Sequence, residues 1–159
     1  MEFLLLERKF KLIDDELFSF YKTGRSKTEK WYKIKLKIDN GYKRFAFNVK
    51  GKKKSFYYHR VVYYAYNNDW DIYDSSMDNV IDHIDNEPTN NHISNLRNVT
   101  QQENQFNRTC KGYYFDRGKY VAQIYLNGKQ IYIGRYDTED DARQAYLNKK
   151  EELHIIIQR

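Results

Sequence analysis

Between residues 31 and 38 the chain reads WYKIKLKI, apolar and basic side chains alternating at the two-residue period of a strand with one buried face. Asn40-Gly41 follows, a dipeptide favoured in two-residue hairpin turns, and YKRFAFNV at 42–49 resumes the alternation. The pattern predicts a β-hairpin. One face of its first strand would carry Lys33, Lys35 and Lys37, and residues 50–54 add a basic run around Gly51. In HRVVYYAY, residues 59–66, the apolar positions fall at helical spacing, which predicts a short helix ended by Asn67 and Asn68.

Residues 80–108 read VIDHIDNEPTNNHISNLRNVTQQENQFNR: a short apolar strand, a polar loop rich in Asn, a second strand at 97–99, then a helix. Thr100 with Glu103 three residues on is a capping box that starts this helix. The layout is β, long loop, β, α, and an irregular loop of this length in so small a protein is usually functional. After a short linker at 109–111 come YYFD, a turn at Arg117-Gly118, KYVAQIYL, a hairpin turn at Asn127-Gly128 and QIYIGRY. Thr138 with Asp141 reads as a second capping box, and Ala142, Ala145, Tyr146 and Leu153 fall near one face of the helix it opens. This stretch predicts a three-stranded antiparallel sheet packed on one helix. The fold class is therefore α+β, with a β-rich region at 1–79, a strand–loop–strand–helix module at 80–109 and the sheet and helix at 112–154.

Composition narrows the chemistry. A chain of 159 residues has room for one ordinary domain or a few small modules, which excludes a large multidomain enzyme. With 28 Lys+Arg against 22 Asp+Glu the net charge is +6, so the preferred partners are anionic and nucleic acid leads them. No apolar run approaches the roughly 20 residues of a spanning helix, and residues 3–6 are too short and too acid-flanked for a signal peptide. A soluble, intracellular protein is expected, in the cytoplasm of the host cell or the compartment that holds its DNA target. The single Cys110 can form no internal disulfide and no cysteine-based zinc site. The 16 Tyr, 9 Phe and 2 Trp fit strand-rich cores in an A+T-rich genome as well as nucleic-acid surfaces, so they decide nothing alone.

Asp82-His83 on the first short strand, Asn95 near the second and Asn104 on the helix combine hard oxygen donors with the side chain that titrates near neutrality. Adjacent strand residues point to opposite faces, so His83 belongs at the twisted strand end where the loop begins. The string DHIDNEPTNNHISNLRNVTQQENQFN resembles, in order and spacing over 82–107, the HNH or ββα-metal nuclease family in its phage-type homing endonuclease branch. HRVVYYAY is similar to the His-Arg-aromatic helix that commonly precedes that motif. The resemblance implies that His83 is the general base, that Asp82 and Asn104 hold one divalent metal, and that Asn95 braces the loop to orient His83. Mg²⁺ is the first choice of metal, Mn²⁺ the second, and zinc is not expected. Arg97 would salt-bridge within the module or touch a phosphate.

The stretch 112–154, through GKYVAQI at 118–124, IYIGRYDT at 131–138 and DDARQAYL at 140–147, resembles the Apetala-type (ethylene-response-factor) DNA-binding domain. That resemblance implies a sheet lying in the major groove, with Tyr114, Arg117, Lys119, Gln123, Tyr125, Gln130, Tyr132 and Arg135 as DNA contacts. Plant members place several arginines and tryptophans there, whereas this chain has mostly Tyr and Gln, so their target sequence does not transfer. Together the resemblances imply a metal-dependent, site-specific endonuclease acting on double-stranded DNA without a membrane, a homodimer being left open. A regulator or repair accessory with a decayed nuclease module, or a restriction-type enzyme, are the alternatives.

Overall fold

The computed structural model of the chain describes residues 1–22 and 29–156. The chain is α+β, with antiparallel sheets and three α-helices among the described residues. Two compact units are formed, Met1–Ser76 with Ile81–Asn98, and Met77–Val80 with Val99–Arg159. This partition follows packing rather than the three stretches read from the sequence.

In the first unit, strands β1 (Glu2–Leu5), β2 (Arg8–Ile13), β3 (Glu16–Lys22) and β4 (Glu29–Lys33) pair in chain order as an antiparallel sheet. Alternation along them buries Phe3, Leu5, Phe10, Leu12 and Leu17 on one face. A second antiparallel sheet holds β5 (Lys37–Asp39), β6 (Tyr42–Val49) and β7 (Lys52–Tyr57). Asn40 and Gly41 both have positive φ, 49° and 82°, the signature of the primed turn whose twist matches the flanking strands. Helix α1 (Tyr58–Tyr66) leaves β7 directly and buries Tyr58, Val61, Val62 and Ala65 against the sheet residues Phe45 and Phe47 and the rest of this core. The Tyr58 hydroxyl donates to the Asp15 carbonyl at 2.6 Å, and Asn67 ends the helix as the sequence predicts. Strands β8 (Val80–His83) and β9 (Leu96–Val99) pair as a two-stranded sheet, with a single 3-10 turn, Ile93–Asn95, before β9.

The expected strand at 31–38 is two strands in two different sheets. Ile34 and Leu36 pack against the core between them, and the Ile34 amide bonds to the Leu17 carbonyl at 2.8 Å. Burying both side chains at this corner ends β4 at Lys33 and starts β5 at Lys37, so Lys33, Lys35 and Lys37 share no continuous strand face. The basic run at 50–54 is a hairpin turn and the start of β7.

In the second unit, α2 (Gln101–Asn107) opens on the expected capping box: the Thr100 hydroxyl accepts from the Glu103 amide, and the Glu103 carboxylate accepts from the Thr100 amide at 2.7 Å. Strands β10 (Tyr113–Asp116), β11 (Lys119–Leu126) and β12 (Lys129–Tyr136) form the predicted antiparallel sheet, and α3 (Glu139–Leu153) packs on it through Ala142 and Tyr146. The box at Thr138 is only half made. The Asp141 carboxylate, one carbon shorter than Glu, meets the Thr138 hydroxyl at 2.7 Å instead of the backbone amide. Among the described residues no helix is long and apolar enough to cross a membrane.

Gly112, before β10, has φ +79°, and a Cβ there would lie 2.0 Å from the Tyr146 ring. Both the left-handed backbone and the clash oppose a side chain, so Gly112→Ala is expected to destabilise the second unit by about 2 to 5 kcal/mol. Denaturant unfolding followed by tyrosine fluorescence measures it, with Gly118→Ala, at an open turn, as the milder comparison.

Candidate active site

Strand alternation separates Asp82 from His83 at the end of β8. Asp82, 5% exposed, meets Arg97 of β9, whose Nε and Nη2 both donate to its Oδ2, at 2.9 and 2.7 Å. The two residues form a nearly buried ion pair, of the kind that becomes costly when one partner is removed. His83, 6% exposed, is the last residue of the strand and turns toward the loop at 84–95.

That loop supplies its own hydrogen bonds. The Asn95 side chain donates to Asp85 Oδ1 and to the Asn90 carbonyl, both at 2.8 Å, and accepts from the Asp85 amide at 3.1 Å. Asp85 also takes the Glu87 amide and the Asn90 side chain. These donors, the Glu87 amide first, hold the Asp85 carboxyl below its ordinary range. His92 caps the 3-10 turn through Ser94.

Asn91, which sequence reasoning passed over, touches His83 directly. Its amide nitrogen is committed to the Thr89 carbonyl at 2.8 Å, so its oxygen faces His83 Nε2 at 3.2 Å. An amide oxygen only accepts, so in this contact Nε2 is the donor nitrogen and the ring is anchored through it. Asn91 is buried, and neither its burial nor the direction of its amide is written in the sequence, where it is one Asn among several in a polar loop.

Tyr42 and a second histidine flank the imidazole, with Tyr57 behind them. His59, the second residue of α1, meets the His83 ring edge-on at 5.0 Å and stacks on Tyr57 at 5.6 Å; Tyr42 lies 5.9 Å from His83. His59 is buried, and its Nδ1 has no hydrogen-bond partner among the described residues. Burial, with the neighbouring His83 and then Arg60 adding to it, pushes His59 down to about 3. Arg60 turns away and donates to the carbonyls of Ile72 and Asp74, at 3.0 and 2.9 Å.

Asn104 lies on α2, in the second unit. The open face of the β10–β12 sheet carries Tyr114, Lys119, Gln123, Tyr125, Gln130, Tyr132 and Arg135 together by register, and Arg117 stands exposed in the turn. Lys119 is paired with Asp137, and Arg135 with Asp116 at 3.4 Å. Gln130 donates to Gln123. In the first unit, Lys33 is paired with Glu16, while Lys35 and Lys37 are exposed. A cleft of about 760 Å³ lies within the second unit, lined in part by Phe106, Gln123, Tyr125, Tyr146 and His154, and holds none of Asp82, His83 or Asn95.

Residues 56–106 match the family model described as HNH endonuclease. An uncharacterized HNH endonuclease of Acanthamoeba polyphaga mimivirus is 38% identical over 78 residues, 46% of this chain and 42% of the relative. The chain thus spans less than half the length of that curated relative. No solved structure matches.

Because His59 is neutral in the fold and an ordinary imidazole protonates near 6.5, the unfolded chain binds the extra proton as pH falls from 6.5 to about 3. Stability of the first unit is full above that window and falls through it, by at most about 1.4 kcal/mol per pH unit from this group. Thermal unfolding from pH 8 to 4 is expected to be less pH-dependent in His59→Leu than in the unmodified chain.

Proposed function

We propose that the chain is a site-specific DNA endonuclease of the HNH homing type, hydrolysing a phosphodiester to leave a 5′-phosphate and a 3′-hydroxyl. The observation that supports this most is the Asn91 hydrogen bond on His83 Nε2, inside the stretch that matches the nuclease family. An imidazole anchored through Nε2 has a fixed orientation, and its other ring nitrogen is the atom that takes a proton from the water that attacks phosphorus. Asn95 acts one step back: by fixing Asp85 and Asn90 it sets the course of the loop that carries Asn91.

Among the described residues no three His, Cys, Asp or Glu side chains form a cluster that could hold a metal ion. Magnesium is often held by only one or two carboxylates, with substrate phosphate and water completing its shell, and the buried carboxylate of Asp82 fits that minimal donor set. Bound there, a divalent ion would stabilise charge developing on the phosphate and the departing oxygen. Arg97 fixes the orientation of Asp82. Of the two ligands that the resemblance implies, Asp82 belongs to the first unit and Asn104 to the second, and this reading rests on Asp82.

The β10–β12 sheet is the candidate reader of sequence. Gln side chains bind adenine edges and tyrosines offer hydroxyl and apolar contacts, so its open face suits direct readout with few guanine-type arginine contacts. With Lys119 and Arg135 each paired to a carboxylate, that face is weakly charged.

Purified chain with Mg²⁺ or Mn²⁺ is expected to nick or cut a plasmid library built from its source DNA, with mapped ends sharing one site. His83→Ala should slow cleavage at least about a hundredfold while leaving DNA affinity nearly intact. Asn91→Leu, which removes the anchor and retains the base, should slow it roughly tenfold or more. Equal loss of binding and cleavage in His83→Ala would make His83 structural, and no cutting with either metal would remove the nuclease reading.

A further inference from the structure

The register of the β5–β7 sheet places Lys37, Arg44 and Tyr57 in one row across its three strands. Along β6, Phe45 and Phe47 are buried while Tyr42, Ala46 and Asn48 are exposed, so Tyr42 and Arg44 belong to the outer face. Lys53, opposite Asn48, extends that face on β7. It ends at the candidate base: Tyr42 touches the His83 ring at 5.9 Å and Tyr57 at 5.8 Å, and Tyr57 stacks on His59. Both phenols are more than a third exposed.

Arg44 is held rigidly in the middle of the row. Its guanidinium lies over the Tyr57 ring at 4.9 Å, is paired with Asp39 and donates to Ser55 Oγ at 2.9 Å. Lys37 and Lys53 are exposed and make no ion pair among the described residues. Lys43, on the other side of β6, donates to the Thr89 carbonyl at 2.9 Å, two residues from Asn91, and so ties the strand to the loop that anchors His83. Lys43 and Tyr42 therefore connect the sheet to the loop and to the buried candidate base.

We propose that this outer face, from Lys53 through Lys37, Arg44 and Tyr57 to Tyr42, is the seat of the DNA backbone flanking the bond to be cut. The inference rests on the nuclease reading and adds to it the residues that set the register of the substrate. Charge argues for the occupant: residues 1–76 and 81–98 hold 18 Lys+Arg against 13 Asp+Glu, the remaining residues 10 against 9. The anionic strand is attracted chiefly by the unit that carries His83. Lys37 and Lys53 supply phosphate contacts, and tyrosine hydroxyls bond phosphate or sugar without reading bases. Such contacts position DNA and carry its salt dependence, whereas contacts to base edges carry specificity.

The test uses the full chain in EDTA and a fluorescein-labelled random-sequence duplex, with Kd measured by anisotropy across a range of salt concentrations. Lys37→Gln and Lys53→Gln should each lower the slope of log K against log salt by about 0.9 and weaken binding roughly three- to tenfold, and the double variant about twice the slope change. Lys30→Gln, on β4, is the control and should change neither. In cleavage assays with metal the double variant should raise KM and leave kcat within about twofold, since it loses binding that is equal in ground and transition states. A double variant with the unmodified slope overturns the seat, whether or not the chain cuts. A lowered slope in a chain that never cuts leaves the seat standing as a DNA surface and removes the nuclease reading.

Discussion

The two-residue period of a strand forces Asp82 and His83 apart, and much of the first unit's polar architecture answers that separation. One side chain goes back to β9 and is met by Arg97, and the other goes forward into the loop and is met by Asn91. Neither residue could be buried alone: an unpaired carboxylate or imidazole taken out of water loses solvation that only a placed partner returns. Asp82 has its partner on the neighbouring strand. His83 depends on a loop, and a loop holds a partner in place only if its own polar groups are satisfied. Asp85, Asn90 and Asn95 do this for one another, so the density of Asn and Asp in residues 84–95 is the chemistry of a rigid turn rather than of a solvated one.

The same logic explains why the wall behind His83 is aromatic. A charged neighbour would compete with Asn91 for the ring, whereas His59 and Tyr42 present aromatic rings to it. Burial keeps His59 uncharged, at the cost of a ring nitrogen without a hydrogen-bond partner among the described residues.

What the sequence disclosed divides along physical lines. Elements with local signals were legible: α1 from its 3.6-residue period, α2 from Thr100 and Glu103, and the β10–β12 hairpins from Arg117-Gly118 and Asn127-Gly128, where non-glycine and glycine pairs take positive φ. The β1–β3 meander was not, because its turns are Leu6-Glu7 and Asp14-Asp15, residues that adopt positive φ here without the glycine that advertises it. The break at residues 34–36 was hidden for the opposite reason. Its alternation is perfect for a strand, and only the two sheets competing to bury Ile34 and Leu36 reveal a corner. In the candidate site, Asp82, His83 and Asn95 stood out as a motif. Asn91 did not, since its role depends on which way its amide points, and that is decided by the Thr89 carbonyl.

Charge adds a constraint that composition alone conceals. A net +6 suggests a basic surface throughout, yet the excess lies almost wholly in the first unit, and on the β10–β12 sheet the cations nearest the open face are each matched by a carboxylate. Exposed pairs of this kind contribute little to stability, so their effect is on the field. If the sheet reads DNA as proposed, cancelling that field lowers the indiscriminate attraction to phosphate and leaves discrimination to Gln and Tyr side chains whose hydrogen-bond energies depend on the base they meet. In the proposed reading a surface that grips weakly and reads closely needs another that grips, and Lys37 and Lys53 of the β5–β7 face, in the unit that carries His83, make no ion pair among the described residues.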